Sequence, residues 1–413
     1  MPFAPETPQI LRAAFVAPVS SRLIRDGYVI IERGRIAAVG PMSEFRGDRA
    51  NVNDLGDAII TPGLINPHTH LELTCYAGQV EPQPFWPWIQ RMMQLRSGPG
   101  WVEREAASVL DGAQQSLRFG VTCVGDISRC NIAWQPLKRV PIRKVCYAEI
   151  LSIAEMPPRT PSELRDAVLS IEEDELLTAG ITPHAPYTVP ADYIRASAEL
   201  AVELRRPWTT HWAETPEEVA LMNGDDTQYP AGLRGAIERG GIRASNLGTA
   251  GYLESLTQTL TGGTLAHCNY LTEIEATRLA ARGFVGIYCP RAHRYFQHPP
   301  HSFQRLRKAG LPMLIGTDSA ASNESLSVLA ELQFVMRTVA DAPSADELLR
   351  IATLDAARAL GLGDKIGSIE VGKCADLAAF RVKRDAHDAL REMIAANQSA
   401  NAVWVNGEPV GFD

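Results

Sequence analysis

The sequence predicts an α/β protein: a (β/α)8 barrel of the TIM type carrying a small β-sandwich built from both chain ends. Three observations lead there. Between residues 59 and 366, short apolar or β-branched runs alternate with helix-patterned stretches, and the alternation counts eight units. Such alternation argues for a parallel sheet, and eight units argue for closing it. The flanking segments, 1–58 and 367–413, read instead as strands joined by tight turns. An open, doubly wound sheet is the alternative architecture.

The elements follow in order. The N-terminal segment contains GYVIIERGRIAAVG (27–40), two strands about a glycine turn. The eight runs are AIITPGLINPHTH, GVTCVGDIS, IRKVCYAEIL, LTAGITPHAPYT, RPWTTHWAE, GTLAHCNYL, GFVGIYCPRAH and LPMLIGTDSAAS. Helix patterns lie between them. WVEREAASVLDGAQQSLRFG has Gly120 as its stop, and SELRDAVLSIEED and ADYIRASAELAVELRR follow. TEIEATRLAARG opens on a Thr272/Glu275 capping box, and ESLSVLAELQFVMRTVA follows the eighth run. The C-terminal segment contains GSIEVGKCADLAAF and NAVWVNGEPVG, with Asn406-Gly407 as a hairpin signal. The two ends are expected to pair with each other.

Composition narrows the function. At 413 residues and 45% hydrophobic, the chain can bury a large core. A net charge of −8, with no basic tail or cluster, excludes a general nucleic-acid binder. No run of about 18 apolar residues predicts a membrane span. The opening MPFAPETPQI lacks a charged region followed by an apolar core, so no secretion leader is expected. Seven cysteines are scattered without a C-x-x-C, which suits reduced thiols in a cytoplasm.

The polar residues carry the chemistry. In a barrel of this type, reactive groups sit at the C-terminal ends of the strands. His68 and His70 close the first run, His184 the fourth, His211 the fifth, His267 the sixth and His293 the seventh, and Asp318 lies in the eighth. Six of the nine histidines thus fall on one rim, which chance placement would rarely give. Residues i and i+2 of a strand share a face, so His68 and His70 can point together into the barrel mouth. Two imidazoles from one strand, one from another and a carboxylate make an N3O ligand set suited to Zn2+, or to Fe2+. Glu214, three residues past His211, is placed to take a proton from an activated water and pass it on. Glu72 shares the histidine face if the first strand continues, and there it could accept ring or amino hydrogens.

Taken together, TPGLINPHTHLE, TPHAPYT, THWAE, LAHCNYL, CPRAH and GTDSAASNE resemble the amidohydrolase superfamily. The narrower resemblance is to its cytosine deaminase, chlorohydrolase and nucleoside deaminase branch, over about residues 8–407. It implies one metal ion held by His68, His70, His211 and Asp318. It implies that Glu214 shuttles protons, that His267 hydrogen-bonds the water or the developing oxyanion, and that Asp318 also takes a proton. His184 resembles a substrate-contacting position. Binuclear relatives use a lysine at the fourth strand. This chain has none there, and Lys144 in the third run should face away from the mouth, so a single ion is expected.

The stretch from CPRAHRYFQH through SLSVLAEL, with HTHLE and PFWPWIQRMM, is similar to aminodeoxyfutalosine deaminases. Those act on a 6-aminopurine nucleoside with a benzoate-bearing side chain, in the alternative menaquinone route. The resemblance implies a small-molecule substrate read by Glu72, Trp88, His184, Arg291 and His293. Arg291, with Arg294, would suit a carboxylate because a guanidinium fork matches one. Phe85, Trp86 and Trp88 would form an aromatic wall. Deamination of S-adenosylhomocysteine, methylthioadenosine or guanine, and hydrolytic dechlorination, share the same metal set. A ligand-binding barrel without catalysis is the alternative of another class. A homodimer is the one protein partner the resemblance suggests.

Overall fold

The computed structural model describes residues 8–153 and 155–411. The opening residues read for a leader, 1–7, lie outside them.

Both ends of the chain meet in one sheet. Strands β1 (Gln9–Val16), β2 (Ile24–Glu32) and β3 (Arg35–Pro41) form an antiparallel meander. Strand β4 (Val52–Asp54) and strand β5 (Ala58–Pro62) both add parallel to β1. Strand β5 also pairs antiparallel with a C-terminal strand, Leu377–Arg381, with Ile60 opposite Ala379. The expected union of the two ends is therefore a hydrogen-bonded one. The Asn406-Gly407 signal is a tight hairpin with φ of 51° and 80°, joining Ala402–Val405 to Glu408–Pro409. Leu11, Val29, Ile31, Ile36, Ile60, Leu377 and Trp404 bury the apolar side of this sheet.

The run expected as one first strand is two. Strand β5 stays in the terminal sheet, and β6 (Leu64–Thr69) starts after Gly63. A Cβ on Gly63 would lie 2.0 Å from Thr122 Oγ1, so only glycine fits where the chain passes from one sheet to the other. Strands β7 (Val121–Ser128), β8 (Arg143–Ile150) and β9 (Leu177–Pro183) continue from β6 in parallel. A second parallel array holds β10 (Thr209–Trp212), β11 (Gly263–His267), β12 (Phe284–Tyr288) and β13 (Met313–Ile315). Backbone bonds also link the arrays. His211 N–H donates to His184 O at 2.9 Å, and Asp318 N–H donates to His68 O at 3.2 Å.

Helices fall where the sequence places them. Trp101–Arg118 ends before Gly120, which has φ of 78°. Thr272 and Glu275 form the expected capping box on Glu273–Ala281, and Thr160 with Glu163 forms another on Pro161–Ser170. The helix after the eighth run starts later than expected, at Val328, because Ser327 Oγ caps it by accepting Ala330 N–H. TPEEVALM forms the helix Pro216–Met222 with Glu217 and Glu218 in its first turn, whereas helices Ala231–Arg239 and Gly248–Leu256 between β10 and β11 were not expected. Among the described residues, no helix is long and apolar enough to cross a membrane. All seven cysteines are free thiols.

Candidate active site

The end of β6 is fixed against the segment after β13 by side chains of the NPHTH motif. Asn66 Nδ2 donates to Thr317 Oγ1 at 2.7 Å, and Asn66 Oδ1 accepts Thr317 N–H at 3.1 Å. Thr69 Oγ1 donates to Asp318 O at 3.0 Å. These bonds bring His68 and His70 to Asp318, although about 250 residues separate them. Asp318 adopts φ of 57°, uncommon for a residue with a side chain, and Ser322 Oγ donates to its Oδ2 at 2.7 Å. Thus Oδ1 is turned toward the histidines.

The result is a compact cluster. Oδ1 of Asp318 lies 3.8 Å from Nε2 of both His68 and His70. Nε2 of His70 lies 3.3 Å from Nε2 of His211. Ligand atoms of His68, His70 and Asp318 fall within 4.8 Å of one another, as do those of His68, His211 and His267. Two nitrogens bound tetrahedrally to zinc at 2.0–2.1 Å would stand about 3.3–3.4 Å apart. The His70–His211 spacing matches that value.

The residues present fit a divalent ion on a second count. His68 is fully buried, yet neither of its ring nitrogens has a hydrogen-bond partner among the described residues. A buried imidazole rarely stays unpaired without a reason. Nδ1 of His211 bonds His184 O at 3.0 Å, which leaves Nε2 with the lone pair a metal needs. Burial holds His68 and His70 well below the usual histidine range, and His211 down to about 4, so all three are neutral. Neutral imidazole is the ligating form. Lys144 faces away, as expected: its ammonium is held by the carbonyls of Leu137 and Val140.

Glu214 and His267 form the second part of the site. His267 Nε2 and Glu214 Oε1 are 3.4 Å apart, and both residues are buried. Glu214 sits in a turn that Glu218 shapes. The Glu218 carboxylate accepts N–H from Ala213 at 2.8 Å and from Glu214 at 3.0 Å. Burial, with Asp318 and Glu218 nearby, raises Glu214 well above the usual carboxylate range. Burial also raises Asp318, to about 6. His267 carries a left-handed φ of 73°, with its carbonyl bonded to His301 Nε2 at 3.1 Å.

These groups open into a cavity of about 410 Å3. Of the residues expected to read a substrate, Glu72, Trp88 and His184 line it. His184 bonds Thr188 Oγ1 through Nδ1 at 2.7 Å. Trp88 packs against Phe85 and Phe296, and with Trp86 they make the expected aromatic wall. Glu72 does not extend the strand. It sits in a short 3-10 helix, Leu71–Tyr76, and its carboxylate is bound by Arg96 at 2.7 Å and by Ser128 Oγ at 3.2 Å.

Two expectations are corrected. Arg291 does not line the cavity, because the helix Pro290–Tyr295 turns it toward the outer helix layer. Its guanidinium bonds Ser325 Oγ and Glu324 and lies 3.7 Å from buried Glu331. His293 is also outside the lining, packed against Tyr288, His298 and His301. Arg294 lies over the Phe334 ring. Sequence reasoning missed the charged groups that do line the cavity: Arg96, Arg129 and Glu149. Glu149 carried a usable signal, as an acid near the end of the third run.

The chain is similar to known proteins over nearly its whole length. A 5-methylthioadenosine/S-adenosylhomocysteine deaminase from Teredinibacter turnerae is 28% identical, covering 96% of this chain and 91% of that protein. A zinc-bound adenosine deaminase from Xanthomonas campestris superposes with a TM-score of 0.80 at 28% identity, covering 97% of this chain and 92% of that one. Helicobacter pylori aminofutalosine deaminase with methylthio-coformycin matches in fold, with a TM-score of 0.85 at 22% identity over 98% of this chain and all of that one. The sequence pattern of the Amidohydrolase family matches residues 59–410, and the chain belongs to that family.

Proposed function

We propose that the chain is a metal-dependent hydrolytic deaminase of a 6-aminopurine nucleoside, with aminodeoxyfutalosine as its preferred substrate. The observation that carries the deaminase reading is the Glu214–His267 pair, 3.4 Å apart beside a buried cluster of metal-ligating groups. His68, His70, His211 and Asp318 would hold one ion, with zinc ahead of iron. When bound there, the ion would supply a polarised water of near-neutral pKa. Glu214 takes a proton from the water and delivers it to a ring nitrogen. Its raised pKa suits a group that must both accept and give. His267 orients the attacking oxygen, and Asp318 accepts a second proton. The attacking oxygen bonds to the amino-bearing ring carbon, Asp318 returns its proton to the amino group, and the C–N bond breaks, so that ammonia leaves and a ring carbonyl remains.

The cavity supports a nucleoside with a sizeable 5′ substituent. Its volume lies within the range of about 300–1,000 Å3 common to small-molecule sites. Aromatic residues line the cavity with Arg129, which we take as the cation for a benzoate carboxylate in place of Arg291. The name of the Teredinibacter relative favours a second reading, methylthioadenosine or S-adenosylhomocysteine. Ammonia release from a panel separates the readings: aminodeoxyfutalosine, methylthioadenosine, S-adenosylhomocysteine, adenosine and guanine, with metal-loaded protein. The highest kcat/KM is expected on aminodeoxyfutalosine. Release from none of them, with metal bound, overturns the nucleoside reading.

The architecture proposed with this function is one closed barrel over 59–366, with 1–58 and 367–413 as a composite sandwich. The setting proposed is the cytoplasm.

A further inference from the structure

Around the cavity floor, the charged groups differ in how far their own neighbours satisfy them. Arg96 is engaged twice, by Glu72 at 2.7 Å and by Glu105 at 2.7 Å. Glu72 in turn is bound by Arg96 and Ser128. Arg129 and Glu149 are less completely satisfied: Arg129 Nε is buried without a hydrogen-bond partner among the described residues, and Glu149, 4% exposed and lining the cavity, has none for its Oε1. A buried carboxyl oxygen without a partner forfeits the hydrogen bonds it would have in water. Something that enters the cavity can restore that bond.

Position suggests what. Glu149 lies opposite Thr182 in the parallel pairing of β8 and β9, so it points the same way as Thr182 and, two residues on, His184. Tyr147, two residues earlier, packs in the interior between the strands. Glu149 is therefore an inward group at the mouth, two strands from His211 on β10. Neighbouring strands stand about 4.8 Å apart, so two spacings are about 10 Å. Glu214 follows β10 and His267 ends β11, so a purine whose amino-bearing carbon faces them would reach the β8 side with its sugar. The ring itself ends short of it.

We infer that Glu149 is a sugar-reading residue: its carboxyl exchanges a hydrogen bond with a ribose hydroxyl of the bound nucleoside. The inference rests on the nucleoside reading above and deepens it. Burial and the nearby Glu72 raise Glu149 to about 8, against the pull of Arg96 and Arg129. A protonated carboxyl both gives and accepts, which complements a hydroxyl. The acidic neighbour Glu72 disfavours an anionic group at the same spot.

The test removes the two partners separately. Adenosine, 2′-deoxyadenosine and 3′-deoxyadenosine are assayed with the holoenzyme, Glu149→Ala and Glu149→Gln, with metal content and Tm checked for each. Removing the hydroxyl that Glu149 reads should lower wild-type kcat/KM about 10- to 100-fold. Glu149→Ala should lose a similar factor on adenosine and under about 3-fold on that deoxynucleoside, since the bond is already gone. Equal losses on all three nucleosides overturn the assignment while leaving the deaminase reading intact. If Glu149→Ala fails to fold or to bind metal, Glu149→Gln is judged by the same comparison. Wild-type protein that deaminates no 6-aminopurine nucleoside removes the nucleoside reading and this inference together.

Discussion

Two buried polar clusters at different places in the molecule make a useful contrast. Where the terminal sheet meets β8, Arg143 is bound to Asp376 through Nε at 2.8 Å and through a terminal nitrogen at 3.1 Å. Asp376 also accepts Asn406 N–H at 2.8 Å, and its carbonyl takes Gly63 N–H at 2.9 Å. Every charge there is answered by a neighbour in the chain. At the mouth, both ring nitrogens of His68 and Oε1 of Glu149 lack such partners. The first cluster holds the two sheets together. The second leaves hydrogen-bonding and ligating capacity unused within the described chain. Burial is similar in both, so completeness of pairing distinguishes a structural cluster from a functional one.

The contrast can be tested by substitution. The largest expected effect is at the mouth: Glu214→Gln should keep its metal and its Tm yet lose about 10²- to 10⁴-fold in kcat. Steady-state assays with elemental analysis check this, and an active Gln variant would contradict the proton-shuttle role. At the other cluster, Asp376→Ala should cost about 3–5 kcal/mol of stability by leaving Arg143 buried and unpaired. Urea unfolding measures it, and a loss under about 1 kcal/mol would show that water replaces the partner. Elemental analysis should find about one ion per chain in wild-type protein, and about two would break the mononuclear assignment. Thr272→Ala, which removes a cap far from both clusters, should cost about 1 kcal/mol with kcat unchanged. Arg291→Gln, too, should leave activity nearly unchanged. Its partners are Ser325, Glu324 and Glu331, so kcat/KM should move less than about 2-fold. A larger fall would return Arg291 to the substrate.

Much of the strand order was legible because each strand is short, apolar and closed by polar residues. His68, His70, His211, Glu214, His267 and Asp318 were legible for the same reason, since strand ends fix where a side chain points. Several residues on helices were not. Arg291 and His293 stand only two and four residues past Cys289 at the end of the seventh run, but a helix starts at Pro290 and its twist carries them away from the mouth. Arg96 lies at the end of the helix Phe85–Leu95, and nothing in the local sequence says that it reaches Glu72 and Glu105. Helix Ala231–Arg239 lends Leu233 and Ala236 to the cavity wall, and its weak apolar pattern gave no warning. The split at Gly63 was hidden because one apolar run serves two sheets in succession.

The Asn66–Thr317 link has a consequence for how the protein is made. The first ligating strand and the loop carrying Asp318 are about 250 residues apart in the chain. Translation at about 5–20 residues per second would leave His68 and His70 waiting roughly 12–50 s for Asp318. During that interval the nascent chain offers at most a partial, histidine-only grip. On the proposed ligand set, tight capture of an ion would then mark that synthesis has passed the last strand, and a chain cut short before it would leave the ribosome without the Asp318 ligand.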